Sequence, residues 1–149
     1  ELKGVDIGLH FVMDRELWLR MEMKGFKIKY LPGWVNASFR LVEGTKTFEY
    51  TPKFRQEWYE VMLAAFKLEP YFQNVDKTIM DNALSVNRSA YHLSLMTKAF
   101  IDGQRIEGLN QALKAYRANG SMKRNAGFYK QFLMGFFGLN IDRTNKFKD

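Results

Sequence analysis

The strongest constraint on the fold is a helical period that runs through the last two thirds of the chain. Across residues 51–139 apolar side chains recur every three or four positions, as they do on one face of a helix. Helix starts are predicted at Thr51-Pro52 and at Asp76, which is a good N-cap residue. Helix ends are predicted at Gly103 and at Asn119-Gly120. We therefore expect this region to be a set of packed helices.

The same spacing predicts which side chains form the core. Two of these helices resemble an antiparallel hairpin, although the sequence contains no convincing repeat. The positions predicted to face inward are Ile79, Ala83, Val86, Ala90, Leu93 and Ile101 on the long helix, and Ile106, Leu109, Leu113 and Tyr116 on the next.

Residues 121–139 differ in character, because they combine Lys123, Arg124 and Lys130 with a dense group of Phe and Leu residues. An aromatic helix next to cations can lie in a membrane interface. It can equally pack on the preceding helices, which is the usual fate of an amphipathic helix. The sequence favours packing and leaves peripheral membrane contact through 121–139 open.

A period of two precedes the helices. Residues 26–31 alternate apolar and polar side chains, and residues 34–42 alternate again after a Pro-Gly turn. In the second segment Arg40 falls on the polar face, where it could meet a phosphate. We therefore predict an α+β fold, mainly α, with a short β-hairpin or strands.

An amphipathic helix is also predicted from Asp14 to about residue 24, with Gly25 as its stop. Glu16 and Arg20 are four residues apart, which favours an ion pair, and Trp18 is predicted to be in the core. Asp14 would lie at the N-cap or in the first turn, where the helix dipole favours its charged form. It is either a simple cap or a fixed carboxylate of the kind that a general base needs.

Several short motifs around Asp14 occur in one order and spacing, and together they resemble the C-terminal half of the catalytic domain of family 2 glycosyltransferases. The resemblance covers about residues 4 to 48. The matching motifs are Leu9-His10, Met13-Asp14, Leu17-Trp18-Leu19-Arg20, Tyr30-Leu31-Pro32, Phe39-Arg40-Leu41 and Gly44-Thr45-Lys46-Thr47.

The resemblance implies an inverting, nucleotide-sugar-dependent enzyme with a GT-A fold. Asp14 would be the general base for the acceptor hydroxyl. Arg40, Thr45 and Lys46 would bind the diphosphate; the alternatives are a solvated Arg40 on a surface strand and a plain solvated loop at Thr45 and Lys46. His10 would border the acceptor, and the alternative is a partly buried structural histidine. Residues 1–50 would be the end of the catalytic domain, and residues 51–149 a helical extension resembling a bundle.

Further expectations follow from the same resemblance. A divalent metal, Mg or Mn, would act in the full-length enzyme with ligands mostly outside this chain. The partners would be a nucleotide-sugar donor, a glycan or lipid-linked acceptor and a missing N-terminal nucleotide-binding half, so the chain alone is expected to be inactive. Val42 replaces a histidine that is usual in the family, which puts metal use or activity in doubt.

Composition supplies a rival hypothesis. The chain has 23 Lys and Arg against 16 Asp and Glu, a net charge of +7, and no cysteine. It contains no apolar run of the roughly 20 residues that a membrane span requires. A non-catalytic basic helical module that binds a membrane surface or nucleic acid is therefore the alternative. The preferred hypothesis is a cytoplasmic enzyme, peripheral at most to the inner face of the membrane, without a nucleic acid partner.

Overall fold

The computed structural model describes residues 3–27, 29, 32, 50–68, 72 and 75–139. The chain divides into two compact units, Glu1–Val75 and Asp76–Asp149. The α-helices of the described residues are α1 (Met13–Met23), α2 (Thr51–Ala65), α3 (Lys77–Ile101), α4 (Arg105–Ala118) and α5 (Ala126–Phe136), with a 3-10 helix (Gly120–Arg124) between the last two.

The α+β prediction is wrong for the part of the chain that the structure describes, which is helical and contains no β-strand. The first predicted strand, 26–31, would start where the backbone is used to close α1. The N–H of Phe26 donates to the carbonyl of Met21 at 3.1 Å, and Gly25 turns the chain with a φ of 80°. That N–H is therefore not available for a strand ladder. The second predicted strand, 34–42, lies outside the described residues.

The ends of α3 and α5 repeat this glycine-based closure. Gly103 has a φ of 74° and Gly138 a φ of 69°. In each case the next N–H reaches back to the helix: Gln104 donates to the carbonyl of Ala99, and Leu139 donates to that of Met134, both at 2.8 Å. These are Schellman motifs, which satisfy carbonyls that the last helical turn leaves without partners.

Helices α3 and α4 form the antiparallel hairpin that dominates the second unit. The hydroxyl of Ser89, which is fully buried in the middle of α3, donates to the carbonyl of Ala115 near the end of α4 at 3.0 Å. At the other end of the hairpin Phe100 packs on Gly108. The buried residues of α4 are small or polar: Gly108, Gln111, Ala112 and Ala115. Tyr116 packs against the core as predicted, but the inward prediction is wrong for Ile106, Leu109 and Leu113, which are exposed. It is also wrong for Ile79, Val86 and Ile101 of α3, which are exposed as well.

The segment 121–139 packs on this hairpin. Phe128 of α5 belongs to the same buried cluster as Met96, Phe100 and Ala112, and Phe132 packs against that cluster. The rings of Phe100 and Phe132 meet edge to face with their centroids 6.1 Å apart. Among the described helices, none combines the length and the apolar character that crossing a membrane requires.

Candidate functional site

Asp14 is the second residue of α1, so it lies in the first turn, as the sequence predicts. Its side chain is exposed, and one carboxylate oxygen accepts the backbone N–H of Arg15 at 2.8 Å. The N-cap residue, Val12, has no side chain that can satisfy the free N–H groups of this helix start. The carboxylate of Asp14 takes part of that role and lies where the helix dipole favours negative charge.

The turn that leads into α1 is held by Glu57 of α2. One oxygen of the Glu57 carboxylate accepts the backbone N–H of His10 at 3.0 Å. The other oxygen accepts the N–H groups of Phe11 at 2.6 Å and of Val12 at 2.9 Å. Three successive N–H groups that converge on one anion form a nest, which fixes the backbone conformation. The position of Asp14 therefore depends on a carboxylate more than forty residues further along the chain.

Arg15 lies between α1 and α2. Its guanidinium carbon is 5.2 Å from the ring centroid of Phe54 and 5.4 Å from that of Trp58, both on α2. Contacts of this kind between a cation and aromatic rings are favourable within about 6 Å. The cation that follows Asp14 in the sequence is therefore held by aromatic rings of α2.

Arg20 connects α1 to the first described residues. Its guanidinium forms the predicted ion pair with Glu16 and also donates to the carbonyls of Lys3 at 2.9 Å and Gly4 at 2.8 Å. The hydrogen bond with Glu16 raises the pKa of Arg20 above its ordinary value, so the group is always charged. The segment before α1 is therefore attached at Arg20 as well as at Glu57.

The predicted site residues fall into two groups. Asp14 and His10 lie within one short segment, and His10 is exposed with its backbone N–H bound to Glu57. The residues predicted to bind the diphosphate, Arg40, Thr45 and Lys46, lie outside the described residues. So does Val42, which stands where the family that the chain resembles usually has a histidine. The structure therefore describes the acceptor side of the predicted site and not its diphosphate side.

No group of three or more His, Cys, Asp or Glu side chains within the described ranges could hold a metal ion. The acids near Asp14 are each committed to other partners. Glu16 pairs with Arg20, and Glu57 binds the three backbone N–H groups. These residues do not fit a metal site, so we derive no step that passes through a metal.

Glu57 is the residue of this region that sequence reasoning missed. Glu57 lies in α2, and an acidic residue in a helix usually faces solvent. Its three partners, the backbone N–H groups of residues 10–12, are 45 to 47 residues away along the chain. No local pattern signals a contact over that separation. The only available signal was the absence of a capping side chain at the start of α1.

Comparison of the chain with protein families, with curated proteins and with solved structures finds no match.

Proposed function

We propose that this chain is the C-terminal part of an inverting, nucleotide-sugar-dependent glycosyltransferase that resembles family 2, with Asp14 as the general base. The observation that carries the proposal is an exposed carboxylate in the first turn of a helix whose entry is fixed by three hydrogen bonds. The short motifs around Asp14 supply the reaction class.

The arrangement suits proton abstraction. A general base must be ionised, reachable by the acceptor hydroxyl and held in place. Asp14 lies in the first turn of α1, and the exposure of its side chain leaves room for a glycan or lipid-linked acceptor. As the base takes the proton, the acceptor oxygen attacks the anomeric carbon of the sugar, and the bond to the nucleotide diphosphate breaks.

The remaining parts of the site belong to the same proposal. Arg40, Thr45 and Lys46 would bind the departing diphosphate, with charge-assisted hydrogen bonds that strengthen as the negative charge develops. His10 would border the acceptor. An N-terminal half would bind the nucleotide and supply the ligands of Mg or Mn, which offsets the charge of the diphosphate. The reaction would take place in the cytoplasm.

The test is sugar transfer by the full-length protein that contains this chain. Asp14→Asn should lower kcat by 100-fold or more, because removing a general base removes about two to four orders of magnitude of rate. Asp81→Asn is the control, since Asp81 is another exposed carboxylate on a helix. Transfer at the wild-type rate by Asp14→Asn would contradict the proposal. So would transferase activity of the isolated 149-residue chain.

A further inference from the structure

Helix α4 turns an apolar stripe outward. Ile106, Leu109 and Leu113 are 77%, 38% and 47% exposed. They are three and four residues apart, so they lie on one face of the helix, opposite the small residues that pack on α3. An exposed Leu alone needs no explanation, whereas a contiguous apolar stripe on a helix marks a surface that binds something.

Cations border this stripe. Residues 103–139 contain six basic residues and one acidic residue, namely Arg105, Lys114, Arg117, Lys123, Arg124 and Lys130 against Glu107. At 100° per residue, Arg105 and Lys114 fall on opposite edges of the apolar stripe, and Arg117 falls in line with it. All three cations are exposed.

The one acid of this segment, Glu107, lies on the same edge of the stripe as Lys114 and is hydrogen-bonded to a buried side chain. The carboxylate of Glu107 accepts a hydrogen bond from the side-chain amide of Gln111 at 2.6 Å. Gln111 is buried against α3, where its other amide atom meets His92 Nδ1 at 2.8 Å. Glu107 is therefore held toward the hairpin interface and offsets part of the charge of Lys114, so the positive charge that borders the stripe comes mainly from Arg105 and Arg117.

The end of α5 extends the apolar surface. A Cβ placed on Gly138 would lie 4.0 Å from the guanidinium of Arg105, so α5 ends where α4 begins. Phe137 and Leu139, on either side of Gly138, are 65% and 58% exposed. They add two large exposed apolar side chains on either side of the glycine that lies close to the Arg105 guanidinium.

We propose that this surface, formed by the stripe of α4 and the end of α5, binds an anionic lipid membrane from one side. Ile106, Leu109, Leu113 and Phe137 would enter the boundary between headgroups and acyl chains, while Arg105, Lys114 and Arg117 contact lipid phosphates. Aliphatic side chains flanked by cations are the composition of an interfacial helix. Nucleic acid is disfavoured, because the stripe of α4 consists of Ile and Leu side chains and Phe137 is the one ring among the four apolar side chains on which a base could stack. The inference does not depend on transferase activity.

The test is co-sedimentation of the 149-residue chain with vesicles. Vesicles of phosphatidylcholine with 30% phosphatidylglycerol should bind the chain, and vesicles of phosphatidylcholine alone should bind it at least tenfold more weakly. Rising salt should weaken binding, because screening reduces attraction between exposed charges. The double variant Ile106→Ser/Leu113→Ser should lower the partition coefficient tenfold or more, as should Arg105→Gln/Lys114→Gln/Arg117→Gln.

The matched control is Ile79→Ser/Val86→Ser, which removes two exposed apolar side chains from α3 of the same unit. This variant should bind within twofold of the wild type. The proposal is overturned if the chain does not bind anionic vesicles, or if both serine variants lose binding equally. It is also overturned if only the charge variant loses binding, or if the chain is a dimer that Ile106→Ser/Leu113→Ser dissociates.

A second measurement covers the case in which a variant fails to fold. Because the chain has no cysteine, a single one can carry an environment-sensitive dye. A dye on Leu109→Cys should shift to the blue with anionic vesicles, and a dye on Asp81→Cys should not. A blue shift at neither position, or an equal one at both, would refute insertion of this face.

Discussion

Gly108 lies against the ring of Phe100 so closely that a Cβ at Gly108 would be 2.3 Å from the nearest ring carbon. Two further ring carbons of Phe100 would be 2.5 and 2.8 Å away, and real Cβ atoms essentially never approach other atoms that closely. The ring is itself held by Phe132 of α5. A missing side chain on α4 therefore provides the space in which α3, α4 and α5 meet.

Gly108→Ala should destabilise the chain by about 1–3 kcal/mol, because overpacking forces a rigid ring or a helix to shift. Without a clash, Ala would stabilise the helix relative to Gly, because Ala has the higher helix propensity. A decrease in the free energy of unfolding therefore identifies the clash. The measurement is urea unfolding followed by circular dichroism. Gly120→Ala is the control, since a Cβ there meets no atom within 4 Å. Equal or greater stability of Gly108→Ala would show that Phe100 can move aside.

Glu57→Gln should loosen the turn before α1. The carboxylate uses both oxygens to accept three N–H groups, whereas an amide has one oxygen and an NH₂ group that cannot accept. At least one N–H of the turn then loses its partner, with a cost of about 1–3 kcal/mol. Hydrogen exchange at Phe11 and Val12 should be tenfold faster or more. Glu60→Gln, in the same helix, should leave these rates unchanged, and unchanged rates in Glu57→Gln would contradict the role of the nest.

Asp76 should make the start of α3 sensitive to acid. The side-chain hydroxyl of Thr78, followed by its backbone N–H, lowers the pKa of Asp76 from its ordinary value. Because the folded pKa is the lower one, the stabilisation is complete above the unfolded pKa of about 3.9 and is lost as pH falls through the folded value.

Asp76→Asn keeps an oxygen that can cap the helix but does not titrate. Below about pH 4 its thermal midpoint should therefore fall less steeply with pH than that of the wild type. Asp81→Asn, which changes an exposed carboxylate later in the same helix, should retain the slope of the wild type. A parallel pH dependence of Asp76→Asn and the wild type would rule out this effect.

Arg20→Lys should release the residues before α1. An ammonium group keeps the charge but lacks the planar fork with which Arg20 binds Glu16 and the carbonyls of Lys3 and Gly4. Trypsin should then cleave after Lys3 several-fold faster, as mass spectrometry can follow, because local opening exposes that bond. Arg55→Lys, at an exposed position on α2, is the control. No change in the cleavage rate would mean that Glu57 alone holds this segment.

Features that depend on neighbouring residues could be predicted from the sequence. The predicted first helix agrees with α1 to within one residue, and the Glu16–Arg20 pair is present. Asp76 caps α3 through Thr78, and Gly103 ends it. Each of these features depends only on groups that lie within one or two helical turns of each other along the chain.

Features that depend on packing could not be predicted in the same way. Helical spacing identified an apolar stripe on α4 correctly but assigned it to the core, because large apolar residues are usually buried. Small residues at Gly108, Ala112 and Ala115 allow α3 to approach closely instead, and this leaves the larger side chains outside. Trp18, predicted to be in the core, is 55% exposed. Helical spacing alone does not specify which residues pack against a side chain.

The candidate site also has a local part that the sequence predicts and a long-range part that it does not. Its local part, Asp14 in the first turn of α1, follows from the sequence. The support that Glu57 gives it does not, because a contact between residues 10–12 and 57 leaves no trace in either segment. The roles of Arg40, Thr45 and Lys46 stay predictions.

The bond between Glu57 and residues 10–12 also bears on how this protein can be divided in the laboratory. Phe11 contacts Tyr50, and Arg15 lies over Phe54 and Trp58. Cutting the chain near residue 50 would therefore remove the contacts that hold α1 in place. A shortened polypeptide meant to retain the acid of α1 in its native setting has to extend through the end of α2. If a mutation abolished activity in a shorter fragment, the loss would reflect the displacement of α1 and not a catalytic role of the mutated residue.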